Sequence, residues 1–109
     1  MKIAVATEDK RASAHFGHCE GFTIYEVHGD KITNKQFIPN PGHRPGYLPK
    51  FLKELGIDVI ISGGMGVTAK ELFAENGILV VVGADGRIDD LVEKYIKGEM
   101  VSTDRFCQH

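Results

Sequence analysis

The sequence predicts an α/β fold, with a largely parallel sheet covered by helices on both faces. Three observations carry this expectation. Segments 2–6, 57–61 and 78–82 are apolar almost throughout instead of alternating, the pattern of strands buried on both sides. Helical spacing of apolar residues recurs between and after the later strands. Gly56, Gly77 and Gly98 stand where each helical stretch should stop.

Lys2–Ala6 reads as a short buried strand. Residues 7–20 are polar and rich in Gly, His and Ser, and read as a loop. Phe22–Val27 has strand composition, His28-Gly29-Asp30 is a tight turn, and Lys31–Ile38 is a weaker, more polar strand, so 22–38 is expected to form a hairpin with 31–38 at an edge. Residues 39–46 carry three prolines and two glycines and cannot be regular structure. Leu48, Phe51, Leu52 and Leu55 follow helical spacing, with Pro49 in the first turn where its missing N–H costs little. Ile57–Ile61 is the next strand, Ser62-Gly63-Gly64-Met65-Gly66 breaks it, and Val67–Asn76 is a helix. Ile78–Val82 is the last strand. Ile88, Leu91, Val92, Tyr95 and Ile96 then form the apolar face of a final helix. Residues 99–109 lack a clear period and read as a Cys/His tail of a single domain spanning 1–109.

The totals limit the function classes. A chain of 109 residues suits one domain with a real core, burying roughly 60–70% of its unfolded surface. Thirteen basic against fifteen acidic residues give a net charge of −2, no electrostatic case for nucleic acid or an anionic membrane. No apolar run reaches 18 residues, and the N-terminus runs straight into a strand without a signal-peptide pattern, so a cytoplasmic protein is expected. Two cysteines make no disulfide scaffold.

In an open α/β sheet, ligands bind beyond the carboxyl ends of the parallel strands. Loops 7–20, 62–66 and 83–87 leave such ends. If the second strand is antiparallel to the first, loop 39–47 arrives there too. The first loop holds His15-Phe16-Gly17-His18-Cys19, and the tail adds Cys107 and His109. Imidazole and thiolate are ligands for zinc, copper, iron and iron–sulfur clusters. Gly17 permits the tight fold that neighbouring ligands would need, His43 could contribute from the proline-rich loop, and residues 99–106 are long enough to return the tail to the rim. The Ser62–Gly66 loop opens a helix, where bare N–H groups can cradle an anion, but it matches neither the P-loop nor the dinucleotide fingerprint. Plainer readings stand beside these. The histidines can be solvated, Cys19 can be a small core residue or pair with Cys107, and the glycine loop can be a close-packed turn. A hard cation held by Glu8, Asp9 and Asp85, and a Cys19 nucleophile beside His18, are further alternatives. Hydrolytic motifs are missing around Ser13 and Ser62.

Ala14-His15-Phe16-Gly17-His18-Cys19-Glu20-Gly21-Phe22, Ile38-Pro39-Asn40-Pro41-Gly42-His43, the run from Leu55 to Gly66 and Asn76-Gly77-Ile78 together resemble the dinitrogenase iron-molybdenum cofactor biosynthesis family, which includes NifX-like proteins and the C-terminal domain of NifB. The resemblance covers roughly residues 1–100. It implies a three-layer α/β/α, ribonuclease H-like fold, with a five-stranded mixed sheet of order 3-2-1-4-5 and strand 2 antiparallel. It implies no ribonuclease activity. His15-Phe16-Gly17 and Gly63-Gly64-Met65-Gly66 match the family's recurrent loops, while Cys19 and the Cys107-Gln108-His109 ending set this chain apart.

The expected function is therefore non-enzymatic: binding and carrying an iron–sulfur or iron–molybdenum cluster, or its precursor, and passing it to a cofactor-assembly partner. Cys19, His18, His15, Cys107, His109 and His43 are the candidate ligands, and Gly17, Ser62, Gly63, Gly64, Met65 and Gly66 the candidate cradle. Zinc or no metal is the alternative occupancy. A metal-free small-molecule or anion-binding regulatory module, or a cysteine-dependent redox protein, is the alternative function.

Overall fold

A computed structural model of the chain describes residues 1–42 and 46–99. The strands are β1 (Lys2–Glu8), β2 (Arg11–Ala12), β3 (Gly21–His28), β4 (Lys31–Pro39), β5 (Val59–Ile61) and β6 (Leu79–Val81). The helices are α1 (Tyr47–Glu54), α2 (Val67–Glu75) and α3 (Ile88–Ile96). They build one mixed sheet of order β4-β3-β1-β5-β6, with the two-residue β2 hydrogen-bonded to the end of β1. β3 runs antiparallel to β1 and β4 antiparallel to β3, whereas β5 and β6 follow β1 in parallel. The carboxyl ends of β1, β4, β5 and β6 therefore share one rim.

The apolar run 3–6 of β1 and the apolar β5 follow from their central place, because each sends side chains into two cores. Ala4, Ala6, Phe22, Ile24 and Ile60 pack beneath α1 and α2 with Leu48, Leu52 and Phe73. Ile3, Val5, Tyr25, Val27, Val59 and Ile61 pack beneath α3 with Ile88 and Val92. Phe73 is fully buried, and its truncation to alanine would cost about 3–5 kcal/mol.

Two regions differ from the sequence expectation. The segment 7–20 is not all loop: β1 continues to Glu8, β2 forms a short ribbon, and Phe16–His18 is a 3-10 turn. The strand at 78–82 is not covered on both faces. As an edge strand β6 leaves Leu79 55% exposed. At the other edge, β4 is exposed almost throughout, as its polarity predicts, and Lys31, Lys35 and Pro39 blunt it against further pairing.

Candidate functional site

The rim is tied together by backbone hydrogen bonds between loops distant in sequence. Ser13 N–H donates to the Ala6 carbonyl at 2.8 Å, Gly63 N–H to Ser13 at 2.8 Å, Gly83 N–H to Gly63 at 2.8 Å, and Phe16 N–H to Gly64 at 3.0 Å. On the other flank, Glu20 N–H donates to Thr7 and Asn40 N–H to Glu20, both at 3.0 Å. The loops after β1, β4, β5 and β6 thus converge.

Close approach explains two of the loop glycines. A Cβ on Gly63 would lie 2.7 Å from the Ser13 carbonyl oxygen, and one on Gly64 would lie 2.4 Å from that of Ala14. Since its N–H is already committed to Ser13, Gly63 is a packing glycine and not an open anion donor. Ser62, fully buried, holds the turn from within, its Oγ donating to the Gly64 carbonyl at 2.9 Å. Gly66 is different. Its φ of −70° suits any residue, and a Cβ there would meet nothing within 4 Å. It caps the N-terminus of α2, and among the described residues the N–H groups of Gly64, Met65 and Gly66 have no hydrogen-bond acceptor.

Phe16 anchors the 3-10 turn. Its ring is buried 5.6 Å from that of Phe22 and 5.3 Å, edge-on, from that of Phe73, an arrangement favoured by the ring quadrupoles. Burying Phe16 leaves His15 and His18 exposed on either side of it. Ser13 fixes the entry to the turn, its Oγ accepting from His15 N–H at 3.2 Å and donating to the His15 carbonyl at 3.1 Å. His15, Phe16, Gly17 and His18 then face Gly64, Met65 and Gly66 across a depression of about 420 Å³. No carboxylate is among its described lining residues.

Cys19 does not join that surface. It is 4% exposed in the core beneath α1 and α2, and desolvation pushes its thiol up to about 11. That is the placement of a small core residue. Asp85, exposed, lies 3.7 Å from Arg11, and among the described residues no group of three or more His, Cys, Asp or Glu could hold a metal ion. His43, Cys107 and His109 lie outside the described residues. Two site residues escaped sequence reasoning: Ser13 and Asn40, both braces of the His15–Cys19 loop. The signals for Asn40 were its place between two prolines and inside the Ile38–His43 motif.

A second depression, about 660 Å³, lies on the α3 side between Thr7, Thr23, Phe37 and Arg87. Its charges of both signs select no ligand class. No described helix is long and apolar enough to cross a membrane.

Residues 1–98 match a family model described as dinitrogenase iron-molybdenum cofactor. An uncharacterized protein of Methanocaldococcus jannaschii is 31% identical over 105 residues, covering 92% of this chain and 89% of that one. Among solved structures, the crystal structure of PH0822 superposes with a TM-score of 0.89 at 30% identity over all of both chains. The apo form of the orange protein from Desulfovibrio gigas gives 0.80 at 20% identity, covering 93% of this chain and 91% of that one, a likeness of fold.

Proposed function

Because the chain belongs to the dinitrogenase iron-molybdenum cofactor family, we propose that it is a non-enzymatic carrier of an anionic metal–sulfur cluster, received at the depression between the His15–His18 turn and the Gly64–Gly66 loop and passed to a cofactor-assembly partner. The observation that carries this reading is Gly66: neither backbone strain nor packing explains a glycine there, and its bare surface adjoins two imidazoles and a helix N-terminus. A cluster of net negative charge gains from N–H donors and from the positive end of α2, each such contact contributing about 0.3–1 kcal/mol. His15 and His18 supply borderline nitrogen ligands. Two ligands and a dipole retain cargo more loosely than a closed four-ligand site, which suits delivery. Cys107, His109 and His43 are further proposed ligands, able to complete the coordination. Cys19 serves beneath the site as part of its apolar floor.

The test is anaerobic purification followed by reconstitution with ferrous iron and sulfide, reading metal and sulfide per chain together with the absorption spectrum. Stoichiometric cluster in the wild type, lost in His15→Ala/His18→Ala, is the expected result. A chain that takes up no cluster, or one whose loading ignores the double substitution, overturns the proposal. Binding of phosphate or molybdate that is indifferent to the histidines would favour the anion-binding module instead.

A further inference from the structure

Asn40 joins the histidine turn to the proline-rich loop through both ends of its side-chain amide and its backbone N–H. Its Nδ2 donates to the Cys19 carbonyl at 3.0 Å and reaches the Gly17 carbonyl at 3.4 Å, beside the Cys19 sulfur at 3.9 Å. Its Oδ1 accepts from Gly42 N–H at 2.9 Å, and its backbone N–H donates to Glu20 at 3.0 Å. Only a side chain with a donor and an acceptor on one planar head can serve both arms, and asparagine carries both at this length. The carbonyls of Gly17 and Cys19 bracket His18, so the bond to Asn40, together with His18 N–H donating to the His15 carbonyl at 3.1 Å, restrains the backbone on both sides of that residue.

We infer that Asn40 is a positioning residue for the cargo site: its amide holds the Gly17–Cys19 backbone so that His18 faces the depression, and it couples that turn to the loop leading to His43. The inference rests on the proposed carrier function for its consequence but not for its geometry. Asn40→Asp separates the two arms. The carboxylate still accepts from Gly42, but it sets a negative oxygen against two carbonyl oxygens, so only the arm to the turn is lost.

The labelling measurement uses the full chain with Cys107→Ser, leaving Cys19 as the sole thiol, and the imidazole and cluster measurements keep Cys107. In the metal-free protein, Asn40→Asp is expected to shift the imidazole resonances of His18, with the far-ultraviolet spectrum unchanged, while Asn40→Ala, which adds no charge beside the sulfur, is expected to raise the rate of Cys19 labelling by a disulfide reagent at least about tenfold. After reconstitution with iron and sulfide Asn40→Asp is expected to change the cluster's absorption bands and speed its loss. A purely structural role would lower the melting temperature while leaving the His18 resonances and the cluster bands of the folded protein in place, and that result overturns the inference. So does unchanged labelling. Asn40→Ser, which keeps a donor, should fall between wild type and these variants. If the wild type takes up no cluster, the carrier proposal fails alone, and the thiol and imidazole readings still decide the role of Asn40.

Discussion

Gly64 lies so close under Ala14 that a Cβ on it would stand 2.4 Å from the Ala14 carbonyl oxygen, whereas Gly66, two residues on, faces open space. The two glycines of one loop are therefore held by different causes. Gly64→Ala must push backbone against backbone, at a cost of about 1–3 kcal/mol, or roughly a 5–20 °C drop in melting temperature for a chain of this size. Gly66→Ser keeps a good N-cap residue for α2 and should leave stability within about 1 kcal/mol of wild type. It nevertheless places a side chain over the depression, so cluster loading should fall. Thermal melts beside iron and sulfide content distinguish the pair. Equal losses of stability would remove the case for a ligand at Gly66.

Burial of Cys19 has a consequence at alkaline pH. An unfolded cysteine ionises near pH 8.5, but in the fold desolvation raises its thiol to about 11. The folded state holds the proton more tightly, so its contribution to stability is complete below about pH 8.5 and is lost as pH rises towards 11. The wild type should lose roughly 1–3 kcal/mol over that interval through this group. Urea midpoints at pH 8 and pH 10.5 measure it. Cys19→Ala, though less stable at both, should show a smaller difference between them. Burial also raises the Tyr25 hydroxyl, but both proteins share that residue, so its effect cancels.

The sheet was legible where burial on two faces leaves its mark, as in β1 and β5, whose unbroken apolar runs admit no solvent-facing side. The same run in β6 overstated its cover: Leu79 is apolar yet exposed, because an edge strand lacks a neighbour on one side and sequence does not say which strand lies outermost. Nothing predicted β2, a backbone ribbon of Arg11 and Ala12 with no hydrophobic pattern and no glycine in its turn. Convergence of the four loops could be reasoned from strand direction alone. Burial of Cys19 was one of two open readings, core residue or ligand, and only the placement of Phe16, which draws that turn into the core, decides between them. Nor could a sequence separate Gly63 and Gly64, which backbone crowding requires, from Gly66.

Lys35 on β4 and Asp89 on α3 meet at 2.8 Å, and Tyr25 from β3 donates to the same carboxylate at 2.7 Å. The Lys35 ammonium, then the Tyr25 hydroxyl, hold Asp89 below the usual carboxylate range. Its contribution is therefore present above about pH 4 and lost as pH falls through the lowered folded value. The ion pair is half exposed, so Lys35→Met should cost no more than about 0.5–1 kcal/mol and less in high salt. Tyr25 is 1% exposed, and Tyr25→Phe should cost about 1 kcal/mol or more with little salt dependence. Chemical denaturation at two salt concentrations checks the order. A larger, salt-sensitive loss for Lys35→Met would contradict it.

The turn between β1 and β2 stores strain that substitution can release. Asp9 and Lys10 have φ of 50° and 65°, both left-handed, as the twist of a two-residue hairpin demands. Asp9 tolerates this region, and its N–H donates to the Glu20 carboxylate. The Lys10 carbonyl accepts from Ile88 N–H at 3.2 Å, a bond any residue could keep, while its side chain carries a left-handed penalty of about 1–2 kcal/mol. Lys10→Gly removes it against an entropic cost of about 0.5–1 kcal/mol, so the variant should gain about 0.5–1 kcal/mol and melt a few degrees higher. Gly29, at the turn between β3 and β4, offers the converse: its φ is +65° with open space around it. There, Gly29→Ala should lose about 1 kcal/mol through backbone conformation alone. Opposite signs for these two substitutions in paired thermal melts would locate the strain in the backbone. A Lys10→Gly variant less stable than wild type would mean that the lysine side chain supplies more than its backbone costs.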